Sequence, residues 1–235
     1  MRNFKIKIFA DGANYNEIKY FNSQKIIKGL TTNPSLMRKS GVKNYEIFAR
    51  KILRFVKHKP ISFEVFSDDF DEMYIQAKKI SSWSKNVYVK IPVTNTKGES
   101  SHLLIKKLSY EQINLNITAI FNFYQVLKVV KSLNPKSKAI VSIFSGRIAD
   151  TGVDPEILIK KSVDLVKNNK NHEILWASTR ELYNVVQAEK LKCHIITVPT
   201  TILKKFNLIG YDLIKYSADT VKEFYEDAKN AKFKI

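Results

Sequence analysis

Cysteine is nearly absent from this chain: Cys193 stands alone, which excludes an intrachain disulfide and a cysteine-clustered metal site. Glycine is also scarce. Seven in 235 residues leave little room for a glycine-rich phosphate loop, and neither GxGxxG nor GxxxxGK[ST] occurs. The four histidines, His58, His102, His172 and His194, are scattered without metal-pair spacing, so no metal is expected. No apolar run approaches a membrane span, and the N-terminus lacks the apolar stretch of a signal peptide. These absences lead to the expectation of a cytoplasmic protein with no membrane partner and no cofactor.

Acidic residues are in deficit. Forty Lys and Arg against 22 Asp and Glu give a formal charge of +18. Such a field attracts nucleic acid, anionic membranes or phosphorylated substrates. The lysines, however, are spread over polar helix faces, as in Ala49-Arg50-Lys51-Ile52-Leu53-Arg54, and no nucleic-acid module signature accompanies them. Solvated basic faces are the better reading, and a nucleic-acid-binding barrel without catalysis is the alternative from another class. Hydrophobic content of 44% and charged content of 26% are those of a globular protein with a sizeable core.

What is present is alternation. Strand-like runs at 7–11, 29–32, 61–66, 87–93, 113–121, 139–144, 173–178 and 194–198 are separated by amphipathic patterns at 14–21, 43–57, 69–82, 100–108, 123–132, 155–167, 180–189 and 201–206. Eight such units in this length predict a single-domain (β/α)8 barrel over residues 1–235. A further helical pattern, 218–231, lies beyond the eighth unit. Its apolar stripe, Val221, Phe224, Tyr225 and Ala228, must pack on the barrel's outside or on a neighbouring subunit.

In such a barrel the chemistry sits at the C-terminal ends of the strands. Lys90, within Tyr88-Val89-Lys90-Ile91-Pro92-Val93, reads as a buried strand lysine. Burial disfavours an ammonium, and a neutral amine attacks carbonyl carbon, which makes Lys90 a candidate Schiff-base nucleophile. With Lys90 pointing inward, the two-residue strand period brings Ser62 and Glu64, Asn114, Asn116 and Thr118, and Ser142 and Phe144 to the same interior, while Asp11 ends the first strand. Ser178 ends the seventh and Arg180 lies just past it. The same parity puts Lys7 inward, which is acceptable only at a solvated barrel bottom.

Several short stretches resemble one family in order and spacing. Thr31-Thr32-Asn33-Pro34-Ser35-Leu36, Lys90-Ile91-Pro92-Val93-Thr94, Asn116-Ile117-Thr118-Ala119-Ile120-Phe121, Phe144-Ser145-Gly146-Arg147-Ile148, Ala177-Ser178-Thr179-Arg180 and Ile196-Thr197-Val198-Pro199 are similar to motifs of the transaldolases, in the short subgroup shared with the fructose-6-phosphate aldolases. The resemblance implies a metal-free transferase acting on sugar phosphates in the pentose phosphate pathway. It implies Lys90 as the Schiff-base lysine, Glu64 and Thr118 as proton shuttle and water holder, and Asp11 as the base at the C4 hydroxyl. It further implies Thr32, Asn33, Asn116, Ser142 and Phe144 around the dihydroxyacetone unit, and Arg147, Ser178 and Arg180 at the phosphate. The aldolase members resemble this chain less at two positions, carrying glutamine and tyrosine where Glu64 and Phe144 stand. That difference favours group transfer, with a class I aldolase as the alternative. Gly12, Ile143, Ala149 and Thr179 depart from the family pattern, which leaves room for a specialised sugar substrate. The short relatives assemble through a C-terminal helix, so a homo-oligomer is implied.

Overall fold

The computed structural model describes residues 4–234. Eight parallel strands close into a barrel in sequence order: β1 (Lys7–Asp11), β2 (Ile27–Thr31), β3 (Ile61–Glu64), β4 (Val87–Pro92), β5 (Leu115–Ile120), β6 (Ala139–Ile143), β7 (His172–Trp176) and β8 (Ile195–Pro199), with β1 paired to β8. The expected (β/α)8 fold is therefore the observed one.

Alternating strand residues feed two separate cores. Outward residues such as Ile8, Phe63, Val89, Ile117, Val141 and Val198 join the large apolar layer between strands and helices. Inward residues Phe9, Ile140, Leu175, Ala177 and Ile195 form a smaller cluster inside the barrel, with Tyr88 and Phe144 packed against it. Phe9 reaches across the interior because β2 offers no side chain beside it. A Cβ on Gly29 would lie 2.4 Å from the Phe9 ring. At the barrel's bottom, Lys7 is half exposed and paired with Glu173 at 2.7 Å, so its inward parity costs no buried charge.

Asparagine accounts for many of the helix starts. Asn14, Asn33, Asn44 and Asn122 each accept a backbone N–H in the first turn of α1 (Tyr15–Ser23), α2 (Pro34–Lys39), α3 (Tyr45–Leu53) and α6 (Phe123–Ser132). Asn122 and Gln125 complete a reciprocal capping box. The other helices between strands are α4 (Phe70–Ser81), α5 (His102–Tyr110), α7 (Ser145–Ala149), α8 (Glu156–Val166) and α9 (Tyr183–Lys190). Two short helices, α2 and α7, were not foreseen. Their five or six residues are too few to display a 3.6-residue period.

After β8 come α10 (Thr200–Leu203), a 3-10 turn (Phe206–Leu208) and α11 (Leu213–Asn230). The last helix begins five residues before the expected 218, where Asp212 caps it by accepting the Lys215 N–H. It buries none of its residues, and Leu213, Ile214, Val221, Phe224 and Tyr225 are all exposed. Of the two resting places its apolar stripe allows, the chain's own barrel wall is not the one taken.

Candidate active site

A cavity of about 460 Å³ opens at the C-terminal end of the barrel. Of the residues to which the resemblance assigns a role, all but Thr32 line it: Asp11, Asn33, Glu64, Lys90, Asn116, Thr118, Ser142, Phe144, Arg147, Ser178 and Arg180, whereas Ser62 and Asn114, inward by parity, do not. β2 ends one residue earlier than expected, with Thr31 registered beside Asp11, so Thr31 points inward and Thr32 outward. The Thr32 side chain is fully buried, its hydroxyl donating to the Ser62 carbonyl. Thr32 reaches the site only through its own carbonyl.

That carbonyl accepts a hydrogen bond from Lys90 Nζ at 3.0 Å. Glu64 Oε2 lies 3.0 Å from the same nitrogen, and the Lys90 side chain is 9% exposed. Glu64 is itself held by an unforeseen residue. Tyr45, from α3, donates its hydroxyl to the Glu64 carbonyl at 2.8 Å and accepts the Glu64 N–H at 2.7 Å. One phenol thereby satisfies both backbone groups where β3 has outrun its pairing with β2. Nothing in the spacing of Tyr45 and Glu64 signals this contact, since it depends on where α3 docks.

Asp11 accepts a hydrogen bond from Thr31 at 2.8 Å, and the Thr31 hydroxyl also meets that of Thr197 from β8. Burial pushes the Asp11 carboxyl above its usual range, with Lys90 and the Thr31 hydrogen bond opposing the shift and Glu64 adding to it. Thr31 and Thr197 both lay in motif stretches and both have inward parity, so a stricter count of strand ends would have found them.

Opposite, a hydrogen-bonded chain crosses three strands. Ser142 donates to Asn116 at 2.6 Å, and Asn116 donates to Ser62 at 2.9 Å, all three side chains being buried. Thr118 has a buried hydroxyl that bonds no other described residue. β5 bulges just beyond it: the register shifts between Ile117 and Ile120, and Ala119 takes φ 59°. A bulge at a barrel rim re-aims the neighbouring side chain.

The far rim is cationic. Gly146, at the start of α7, packs so tightly on the loop after β7 that an added Cβ would lie 1.6 Å from the Ser178 carbonyl oxygen. Ser178 itself sits at φ 63°. Arg147 lies with its guanidinium 5.7 Å from the centre of the Phe144 ring, which is tilted against Phe121. Arg180 is engaged by Asp150, its Nε 3.2 Å from Oδ1 and its Nη2 in contact with Oδ2. Lys39, from α2, lines the cavity as well and was not anticipated. Among the described residues no cluster of His, Cys, Asp and Glu could hold a metal ion, and no helix is long and apolar enough to cross a membrane.

The family model described as transaldolase/fructose-6-phosphate aldolase matches residues 8–235. The chain belongs to that family. A probable transaldolase of Clostridium kluyveri is 38% identical over 199 residues, covering 84% of this chain and 88% of its own. One from Nitrosopumilus maritimus is 35% identical over 226 residues, covering 95% and 96%. A third, from a Thermoanaerobacter species, is 35% identical and covers 98% of this chain and all of its own. Solved structures similar in fold include a thiamine phosphate pyrophosphorylase from Pyrococcus furiosus, with a TM-score of 0.54 at 12% identity over 83% of this chain and 86% of that one. A putative lyase/mutase from Burkholderia cenocepacia gives 0.59 at 8% identity, over 83% and 77%. At such identities the likeness concerns the barrel alone.

Proposed function

We propose that this member of the family is a transaldolase, moving a dihydroxyacetone unit from a ketose phosphate to an aldose phosphate through a Schiff base on Lys90. The observation that carries the reading is the lysine itself: a buried amine at a strand's C-terminal end, facing a cavity, with a carboxylate oxygen at 3.0 Å. The amine attacks the C2 ketone and the carbinolamine loses water, with Glu64 passing protons through a water held by Thr118. The resulting iminium accepts the electron pair of the C3–C4 bond as Asp11 takes the proton of the C4 hydroxyl. An aldehyde leaves and an enamine remains. Its C3 then attacks the acceptor aldehyde while Asp11 returns the proton to the new hydroxyl, and hydrolysis frees Lys90. A carboxyl raised by burial suits a group that must both take and give a proton.

In the same reading Asn33, Asn116 and Ser142 hold the hydroxyls of the retained unit, and Arg147, Ser178 and Arg180 bind the phosphate, the arginines as planar donor forks. Phe144 sets the balance between transfer and release. Its ring packs on Phe121 and offers no hydroxyl to protonate the enamine, which therefore waits for an acceptor. Phe144→Tyr is expected to raise free dihydroxyacetone relative to transfer to erythrose 4-phosphate. An unchanged ratio removes that argument. Borohydride trapping with fructose 6-phosphate tests the whole reading, since a stable adduct must form and must disappear in Lys90→Ala.

The reading extends to a cytoplasmic homo-oligomer larger than a dimer, assembled through α11 and acting in pentose phosphate metabolism. The exposed apolar stripe on a helix that covers nothing of its own barrel supports it. Light scattering on the full chain and on a chain ending at Gly210 decides the assembly. A monomeric full-length protein, or a truncation that leaves the assembly unchanged, sinks it.

A further inference from the structure

The Arg180 side chain is gripped from one direction only. Its stem passes over Gly146, with Cγ 3.1 Å from where a Cβ on that glycine would stand. Its head is held by Asp150, at the C-terminal end of the same short helix. Its backbone N–H is fixed separately, donating to Asn184 Oδ1 at 2.9 Å. Asp150 takes the Nε–Nη2 edge of the guanidinium. A guanidinium has a second donor edge, Nη1–Nη2, and in Arg180, which lines the cavity, that edge bonds no other described residue.

We infer that Asp150 is a positioning residue for anion recognition: it clamps one edge of Arg180 so that the other is presented to the phosphate of the substrate. The inference rests on the proposed function only in taking the Arg147–Arg180 rim as the phosphate end. Asp150 neither reaches the reacting atoms nor pairs with Arg147, which remains a second cation beside the same rim. The hydrogen bonds of Arg180, followed by its charge and that of Arg147, hold the Asp150 carboxyl below its usual range, so the clamp is ionised at neutral pH.

Two effects of Asp150 oppose each other. Its charge repels an incoming phosphate, whereas its hydrogen bonds spare Arg180 the loss of rotamer freedom on binding. The pair is about half exposed, 50% and 51% by side chain, so solvent and salt screen the repulsion. Preorganisation of a long, rotamer-rich side chain is not screened. Orientation therefore outweighs charge, and removal of the carboxylate weakens phosphate recognition.

The test compares Asp150→Ala, Asp150→Glu and Arg180→Ala with the unaltered chain on two donors, fructose 6-phosphate and unphosphorylated fructose. Asp150→Ala is expected to raise KM for the phosphorylated donor about five- to tenfold with kcat retained, and to leave kcat/KM for fructose unchanged. Asp150→Glu, which keeps a two-oxygen acceptor, is expected to restore most of the loss. A KM for fructose 6-phosphate that stays the same or falls in Asp150→Ala overturns the inference, because it makes Asp150 either irrelevant or a competitor for Arg180. Equal losses on both donors also overturn it, by reducing Asp150 to a structural residue. Arg180→Ala separates this from the larger reading. If that variant fails to discriminate the two donors, the phosphate assignment of the rim falls; if it discriminates and Asp150→Ala does not, only the clamp falls.

Discussion

Gly29→Ala adds one methyl group to the interior of the barrel, and the consequence can be followed from Phe9. The new Cβ would lie 2.4, 2.5 and 2.6 Å from three atoms of the Phe9 ring. Ordinary carbon–carbon contact is about 3.5–4.0 Å, so the ring must retreat by roughly 1 Å. It cannot flex, and it cannot easily slide, because Ile140, Leu175, Ala177 and Ile195 surround it in the inner cluster. Overpacking of this kind costs about 1–3 kcal/mol. Gly29 does not occupy the left-handed region, so alanine also lowers the entropy of the unfolded chain and returns about 0.4–1 kcal/mol. The net expectation is a loss of about 1–2 kcal/mol, or about 2–4 °C in Tm for a chain of this size. Leu175, Ala177 and Phe144 touch both the Phe9 layer and the cavity, so kcat/KM is expected to fall about tenfold or more as the floor shifts. Urea unfolding measures the first effect and steady-state kinetics the second. The double variant with Phe9→Leu gives the ring's space back, and a coupling of about 1 kcal/mol or more in the cycle is expected. If Gly29→Ala is neutral or stabilising, or if Phe9→Leu adds to its cost instead of relieving it, the account of the inner core is wrong.

Asp11→Asn is expected to abolish turnover while stabilising the fold at neutral pH. Because burial raises the native carboxyl pKa above its usual 3.8, the native state keeps a proton that the unfolded chain gives up. The stability linked to Asp11 is full below that unfolded value and is lost as pH rises through the native one. The advantage of the neutral amide over the native residue should therefore shrink on acidification towards about pH 4, and a thermal-melt series showing a pH-independent gap would refute it. Tyr45→Phe leaves the Glu64 N–H and carbonyl without the hydroxyl that satisfies both. A loss of about 1–3 kcal/mol in chemical denaturation with at least a tenfold drop in kcat is expected, and unchanged kcat would remove Tyr45 from the machinery.

The barrel was legible because its signal is repeated. Eight alternations of a short apolar run with an amphipathic one survive errors of a few residues at each boundary, such as β5 beginning at Leu115 where 113 was expected. The cavity was legible for the same reason: inward parity at a strand end is a local property, and Lys90, Glu64, Asn116 and Ser142 each follow it. Thr32 entered the expected site on its motif alone: its parity is opposite to that of Thr31, which is registered beside Asp11, so its side chain faces away from the cavity. The residues that were missed act across long separations. Tyr45 reaches Glu64 from a helix, and Asp150 meets Arg180 from a helix too short to announce itself. Such contacts are properties of the closed barrel, and the pattern around each residue holds no trace of them.

The arrangement of charge in the cavity explains why one orientation of a sugar phosphate would win. On the side of β1, β3 and β4, Lys90 stands against two carboxylates, Asp11 and Glu64. On the side of β6 and β7, Arg147 and Arg180 stand against one, Asp150. Two unit charges about 8 Å apart interact by about 2 kcal/mol at an effective dielectric of about 20. A phosphate dianion turned towards the carboxylates would lose an interaction of that size and suffer a repulsion of similar size. The neutral polyol end suffers neither, and finds the Ser142–Asn116–Ser62 hydrogen-bonded chain instead. In the proposed reaction the ketone is thus delivered to Lys90 by the phosphate at the opposite end. In the same proposed reaction the chain's formal charge of +18 would act earlier, by raising the concentration of an anionic substrate near the surface.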